Sequence, residues 1–232
     1  MGALPPREAI ASFEAIGVTA FTTTRAAGDF ALGDGDPLPV GVARWEQLAQ
    51  EIAPRAARLA SARQVHGAKV LTQGADFSGW RRADQADGHF TQSAGTALAI
   101  IVADCVPVFL AHPAGAVAML HAGWRGTAGR ILAAGISQFT RAGLAVGELR
   151  MHLGPAICGR CYEVGPDVFQ QLTGWTTTRK RNVDLRALLA EHGREAGVQH
   201  LSASPHCTRC DNTQFFSHRC GDAQRQVAVI LS

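Results

Sequence analysis

Strand-like and helix-like patterns alternate along most of the chain. Residues 18–24 (VTAFTTT) are rich in β-branched side chains and predict a strand. Trp45, Leu48, Ala49 and Ile52 recur at helical spacing, and Pro54 ends that helix. Residues 61–73 (SARQVHGAKVLTQ) read as two short strands hinged at Gly67. Two runs, 97–102 and 106–111, are continuously apolar. A half-exposed strand would alternate, so both predict strands covered on two faces. A turn at Pro113 to Gly115 leads into a third buried strand, AVAMLHA. Ile131, Leu132, Gly135, Ile136 and Phe139 share one face of a helix after GWRGTAG. RMHLG (150–154) predicts another strand, Pro166 and Asp184 open two further helices, and QVAVIL closes with a last strand. The expectation is one mixed α/β domain over residues 1–232, with sheet buried beneath helices.

At 232 residues the chain can hide about 70–75% of its unfolded surface without covalent staples. The net charge of +3 comes from 20 Arg and 2 Lys against 19 acidic residues, and the longest basic cluster is Arg179, Lys180 and Arg181. That is too short for a nucleic-acid footprint, so no nucleic-acid partner is expected. The most apolar stretch, residues 97–111, falls short of the ~20 residues a bilayer requires and carries Asp104. No membrane span is expected. The opening stretch holds Glu8 and Glu14 and lacks the apolar block of a secretory signal. With six cysteines in such a chain, reduced thiols and a cytoplasmic setting are expected.

Three chemistry-bearing side chains end or interrupt buried strands: His66 in QVHG, Cys105 in ADCVP and His121 in HAGWRG. Burying polar groups costs several kcal/mol unless they are paired, so Asp104 and Cys105 between two apolar runs need a reason. Two imidazoles and a thiolate suit Zn²⁺ and leave a fourth tetrahedral position open. Taken singly, a buried cysteine also serves as a small apolar residue and a histidine as a core hydrogen-bonding group, and the spacing alone leaves both readings standing.

The strings FTTTRAAGDF, QVHGAKV, ADGHFTQSAGTALAIIVADCVPVFL, HAGWRGTAGRIL, GPAICGRCYEVG and CTRCDNTQFFSHR resemble, in order, the landmarks of the laccase-domain (YfiH-type) family, first named multicopper polyphenol oxidoreductases. The resemblance runs from about Gly17 to Ile230. It implies that His66, Cys105 and His121 are the zinc-binding, catalytic residues. It implies an α/β/β/α layering similar to the catalytic domain of cytotoxic necrotizing factor. The implied activity is phosphorolysis of adenosine, inosine and methylthioadenosine, with deamination of adenosine. A purine nucleoside and phosphate are then the partners. Arg25, Arg125 and Arg219, each in a matched string, are candidate substrate contacts or structural ion pairs. Asp104 either orients a zinc-bound histidine or caps a turn. Glu163 is a general acid/base or a structural anchor. Copper suits the site less well, because multicopper centres use many more histidines.

The pairs Cys158/Cys161 and Cys207/Cys210 invite a second, Cys₄ zinc, or else simply pack; His206 and Cys220 are further candidates for that cluster. The chain departs from the family pattern after FTTTR, where AAGDFALGDGDPLPVG lacks the usual Gly-Gly and Asn-Leu-Gly, and again at AQRQ, where Arg225 keeps the family's arginine. Two readings compete with the zinc enzyme. One is a metal-independent Cys-His hydrolase that edits peptidoglycan precursors, with Cys105 activated by His121. The other is a metal-binding or interaction module without turnover.

Overall fold

Residues 97–102 and 106–111, neighbours in sequence and alike in composition, lie in different sheets. This is seen in a computed structural model that describes residues 3–33 and 39–232. Residues 34–38, inside the segment that departs from the family pattern, lie outside the described residues.

Strand β1 (Arg7–Ala9) and helix α1 (Ala11–Glu14) precede β2 (Thr19–Thr23), the strand predicted from its β-branched residues. Helix α2 (Pro39–Ile52) buries Trp45, Leu48 and Ile52 and ends just before Pro54. A run of strands follows: β3 (Arg58–Ala62), β4 (Val70–Thr72), β5 (Gly79–Ala83), β6 (Gly88–Thr91), β7 (Thr96–Val102), β8 (Val106–Ala111) and β9 (Val117–Ala122). Helices α3 (Trp124–Ala128) and α4 (Ile131–Arg141) lead to β10 (Arg150–Leu153). The last third holds β11 (Glu163–Val164), α5 (Pro166–Thr173), β12 (Arg181–Asn182), α6 (Leu185–Glu195), β13 (His200–Ala203) and β14 (Gln226–Leu231). Pro166 occupies the first turn of α5, and the Asp184 carboxylate caps α6 by accepting from the Ala187 N–H at 3.1 Å.

One sheet runs β1-β2-β14-β7-β3-β5 and the other β13-β10-β8-β9-β6-β4, both of mixed direction. The faces explain the unbroken apolar runs. Leu98, Ile100 and Val102 of β7 meet Phe109, Val117 and Met119 of the other sheet, forming a core between the two. The alternate residues Ala97 and Ala99, with Phe21, Val227 and Val229, pack under Trp45 and Leu48 of α2. Across the molecule, Val108, Leu110 and Leu120 pack under Ile131 and Phe139 of α4 and Leu189 of α6. The layers therefore run helix, sheet, sheet, helices. Each large apolar side chain buried in this way contributes about 1.5–3 kcal/mol. No helix among the described residues is long and apolar enough to cross a membrane.

Three times the chain passes from the first sheet to the second: between β3 and β4, between β5 and β6, and between β7 and β8. The hinge expected at Gly67 is the first of these, a crossover spanning 63–69. Each crossover contains a non-glycine residue in left-handed backbone: His66 (φ 60°), Gln85 (φ 39°) and Asp104 (φ 83°). Such a conformation costs about 1–3 kcal/mol and persists only where the surroundings hold it.

A candidate active site at the sheet crossovers

His66 rides the first crossover and Cys105 ends the third, while His121 points from the end of β9. Their ligating atoms all lie within 4.8 Å of one another, with His121 buried, Cys105 half-buried and His66 exposed. The imidazole centroids stand 4.9 Å apart, inclined at 72°. Gly123, opening α3, leaves room for this trio. A Cβ there would sit 2.9 Å from Cys105 Sγ and 3.4 Å from the His66 ring.

The second crossover supplies a residue that sequence reasoning passed over. Asp87 is fully buried. Its Oδ1 accepts from the His66 N–H and from His121 Nδ1, each at 2.9 Å, and its Oδ2 accepts from the N–H groups of Val65 (3.2 Å) and Gly67 (2.8 Å). One carboxylate thus shapes the loop bearing His66 and fixes the tautomer of His121. With Nδ1–H given to Asp87, the lone pair of His121 is on Nε2. Burial pushes the Asp87 carboxyl up, but these donors outweigh it and hold it below the usual range.

The same balance activates the thiol. Burial pushes Cys105 up, yet the His121 charge and hydrogen bonds from both imidazoles pull it down to about 6. Burial alone would lower His121, but the Cys105 thiolate and Asp87 raise it to about 9. In the absence of a metal each group favours the charged form of the other, thiolate beside imidazolium.

Asp104 does not orient either imidazole. Its carboxylate accepts from Thr208 Oγ1 (2.6 Å), Ser217 Oγ (2.8 Å) and the Arg219 N–H (2.7 Å), tying its own turn to the 207–220 segment; the orienting role falls to Asp87. Arg25 is spent on structure: it pairs with Asp222, donates to the carbonyls of Asn212 and Phe215, and stacks over Phe216. The Glu163 carboxylate lies 3.9 Å from Lys180 on the surface, while its backbone carbonyl accepts from the Arg219 guanidinium, so it serves as an anchor. His206 turns to Asp211 at 3.1 Å, and neither it nor Cys220 joins the other four cysteines.

His66 and Cys105 line both of two cavities, together with Ala103 and His218. One, of about 340 Å³, is lined by His121, Arg63, Gln64, Arg82 and Arg225. The other, of about 290 Å³, is lined by Trp124, Arg125, Tyr162 and Arg219. Arg125 and Arg219 thus reach the site, each stacked on an aromatic ring of that cavity. In the first cavity Arg63 pairs with Asp84, whereas the buried Nε of Arg82 makes no hydrogen bond.

A trio of two imidazoles and one thiol, set where crossovers join the sheets of an α/β/β/α fold, defines a class of protein. Residues 21–232 match the family described as multi-copper polyphenol oxidoreductase laccase, and the chain belongs to that family. It is 34% identical over 234 residues to adenosine deaminase RL5 of an unknown prokaryotic organism, covering 88% of each chain. It is 37% identical over 210 residues to a purine nucleoside phosphorylase of Deinococcus radiodurans, covering 84% of this chain and 78% of that one. The crystal structure of YlmD from Geobacillus stearothermophilus superposes with a TM-score of 0.82 at 30% identity, over 93% of this chain and 92% of its own.

Proposed function

We propose that this chain is a zinc-dependent purine nucleoside phosphorylase that takes adenosine, inosine and methylthioadenosine and also deaminates adenosine. The observation that carries the proposal is the convergence of His66, Cys105 and His121 on one point at the wall of a cavity. The names of the relatives point to the same chemistry.

The donor set fits zinc. Two nitrogens and a sulfur lie close enough to share one ion, the thiol is poised to ionise, and Gly123 keeps the space beside the sulfur clear. Zinc is preferred to copper because three such donors leave one open tetrahedral position; the clustered groups among the described residues gather far fewer imidazoles than a multicopper centre uses. A zinc ion held there supplies Lewis acidity and acidifies water.

The protein's own residues do the rest. Asp87 holds His121 in one tautomer. Phosphorolysis needs a cation to seat phosphate, and Arg82, which lines the first cavity beside Arg63, meets that need. In the second cavity the guanidinium groups of Arg125 and Arg219, stacked on Trp124 and Tyr162, add planar cationic surfaces for a purine ring or a phosphate. The decisive experiment incubates zinc-replete protein with inosine and phosphate and follows hypoxanthine and ribose 1-phosphate. A parallel reaction follows inosine formed from adenosine without phosphate. Absence of both reactions rejects the proposal.

A second reading is favoured by one geometric fact. His121 is held by Asp87 at 2.9 Å and has Cys105 within 4.8 Å on its ligating side, the arrangement of a cysteine nucleophile with its base and orienting acid, and the thiol is pulled down to about 6. It is the chemistry of a Cys-His hydrolase, for which a peptidoglycan precursor would be the substrate. Turnover that survives complete zinc removal selects this reading; turnover lost and restored with zinc selects the first.

A further inference from the structure

The remaining four clustered cysteines take no part in this chemistry. Cys158 and Cys161 lie after β10, and Cys207 and Cys210 lie after β13. The two pairs are far apart in sequence, yet β10 and β13 are adjacent parallel strands with Leu153 opposite Ala203. Their loops therefore leave the sheet side by side, and a parallel bridge between Ala156 and Cys207 keeps them together. The four sulfurs lie within 4.8 Å of one another, and Cys161 Sγ and Cys210 Sγ are 3.5 Å apart.

We infer that these four thiols are a second metal centre, a structural Cys₄ site for zinc distinct from the His66–Cys105–His121 trio. Three observations carry the inference. The first is shape. Sulfurs at 2.3 Å from a tetrahedral zinc stand roughly 3.8 Å apart, and a mutual cluster matches that better than two separate pairs, which is what two disulfides would form. The second is the direction of the backbone. The N–H groups of Cys158 (3.3 Å) and Cys210 (3.5 Å) both donate to Cys207 Sγ, which is the way a protein supports an electron-rich thiolate ligand. The third is the turn at each pair: the Cys161 N–H bonds the Cys158 carbonyl and the Asp211 N–H bonds the Cys207 carbonyl, so each Cys-x-x-Cys is closed into a single turn that lets its two sulfurs lie within 4.8 Å of each other.

The centre has a task in the fold. Thr208, next to Cys207, holds the Asp104 carboxylate, and Tyr162, next to Cys161, lines the second cavity. A metal clip would fasten the 207–220 segment to the 156–162 loop. It would thereby hold the turn that presents Cys105.

Elemental analysis of the purified, zinc-replete full chain tests this. In the Cys105→Ala protein, where the trio is disabled, about one zinc per chain is expected to remain, and the additional changes Cys161→Ser and Cys210→Ser should remove it. Cobalt exchanged into Cys105→Ala protein should show the intense thiolate-to-metal absorption of a tetrathiolate site. That measurement needs no cluster variant to fold. On wild-type protein, alkylation of Cys161 and Cys210 should be slow until a chelator is added. The inference is overturned by Cys105→Ala protein that carries no zinc and gives no cobalt signal, by rapid alkylation of metal-replete protein, or by an intact mass showing a disulfide among the four. None of these readouts depends on purine turnover, so they stand or fall apart from the proposed activity.

Discussion

Replacing Asp87 by asparagine removes one charge and swaps one acceptor oxygen for a donor, and the geometry leaves the new amide no good orientation. With its oxygen towards His66 and His121, the NH₂ faces the N–H groups of Val65 and Gly67, and two bonds to a carboxylate are lost. Such bonds are worth about 1.5–3 kcal/mol each, so the metal-free protein loses about 3–6 kcal/mol. With the amide reversed, the His66 N–H is orphaned and His121 must accept at Nδ1. Its proton then moves to Nε2, and the nitrogen meant for the metal has no lone pair to give. For a chain of this length a loss of about 3 kcal/mol lowers Tm by about 6–12 °C. Zinc affinity, read by titration against a competing chelator, is expected to fall about 10–100-fold. An Asp87→Asn protein that melts within a degree or two of wild type and binds zinc equally well would refute this account of the site.

Gly123→Ala tests the space beside the sulfur. The backbone there (φ −76°) suits alanine, so the fold should hold while a Cβ 2.9 Å from Cys105 Sγ weakens zinc binding; unchanged affinity would show that the trio has slack. Arg82→Ala should raise the KM for phosphate at least about tenfold, the equivalent of ~1.4 kcal/mol, with smaller effects on nucleoside binding. An unaltered phosphate KM removes Arg82 from the site. His89, wholly buried on β6, is lowered to about 4 by burial against the opposing pull of Asp87. The unfolded chain binds that proton from about pH 6.5 downwards while the native one resists, so this contribution is present above 6.5 and lost as pH falls towards 4. It amounts to about 3 kcal/mol. Urea unfolding of metal-free protein between pH 4 and 7 should be less pH-dependent in His89→Gln than in wild type, and parallel curves would disprove the assignment.

The strands readable in sequence include those with two apolar faces or dense β-branching, β2, β7, β8, β9 and β14, and the short β10 predicted at 150–154. Strands β1, β5 and β13 were not, because they lie at sheet edges where one neighbour suffices and half-exposed polar residues are tolerated. That 97–102 and 106–111 part into different sheets was equally hidden, since hydrophobicity reports burial and not partner. His66, Cys105 and His121 were legible through their setting beside apolar runs and through the family strings. Asp87 was not. It sits in a polar crossover, and its importance comes from backbone N–H groups that leave no trace in residue type. Arg82 was masked by its place on an edge strand. The cysteine pairs were visible, but only the parallel pairing of β10 with β13 brings them together.

Because His66, Cys105 and the supporting carboxylate hang on straps joining one sheet to the other, while His121 stays fixed on β9, the thickness of the sandwich sets their spacing. Ala60, Ala111 and Ala228 are among the small side chains in the interior separating the sheets. Enlarging any of them would wedge the layers apart and stretch all the straps at once. The geometry of the reactive centre is in this sense governed by methyl groups that never touch it.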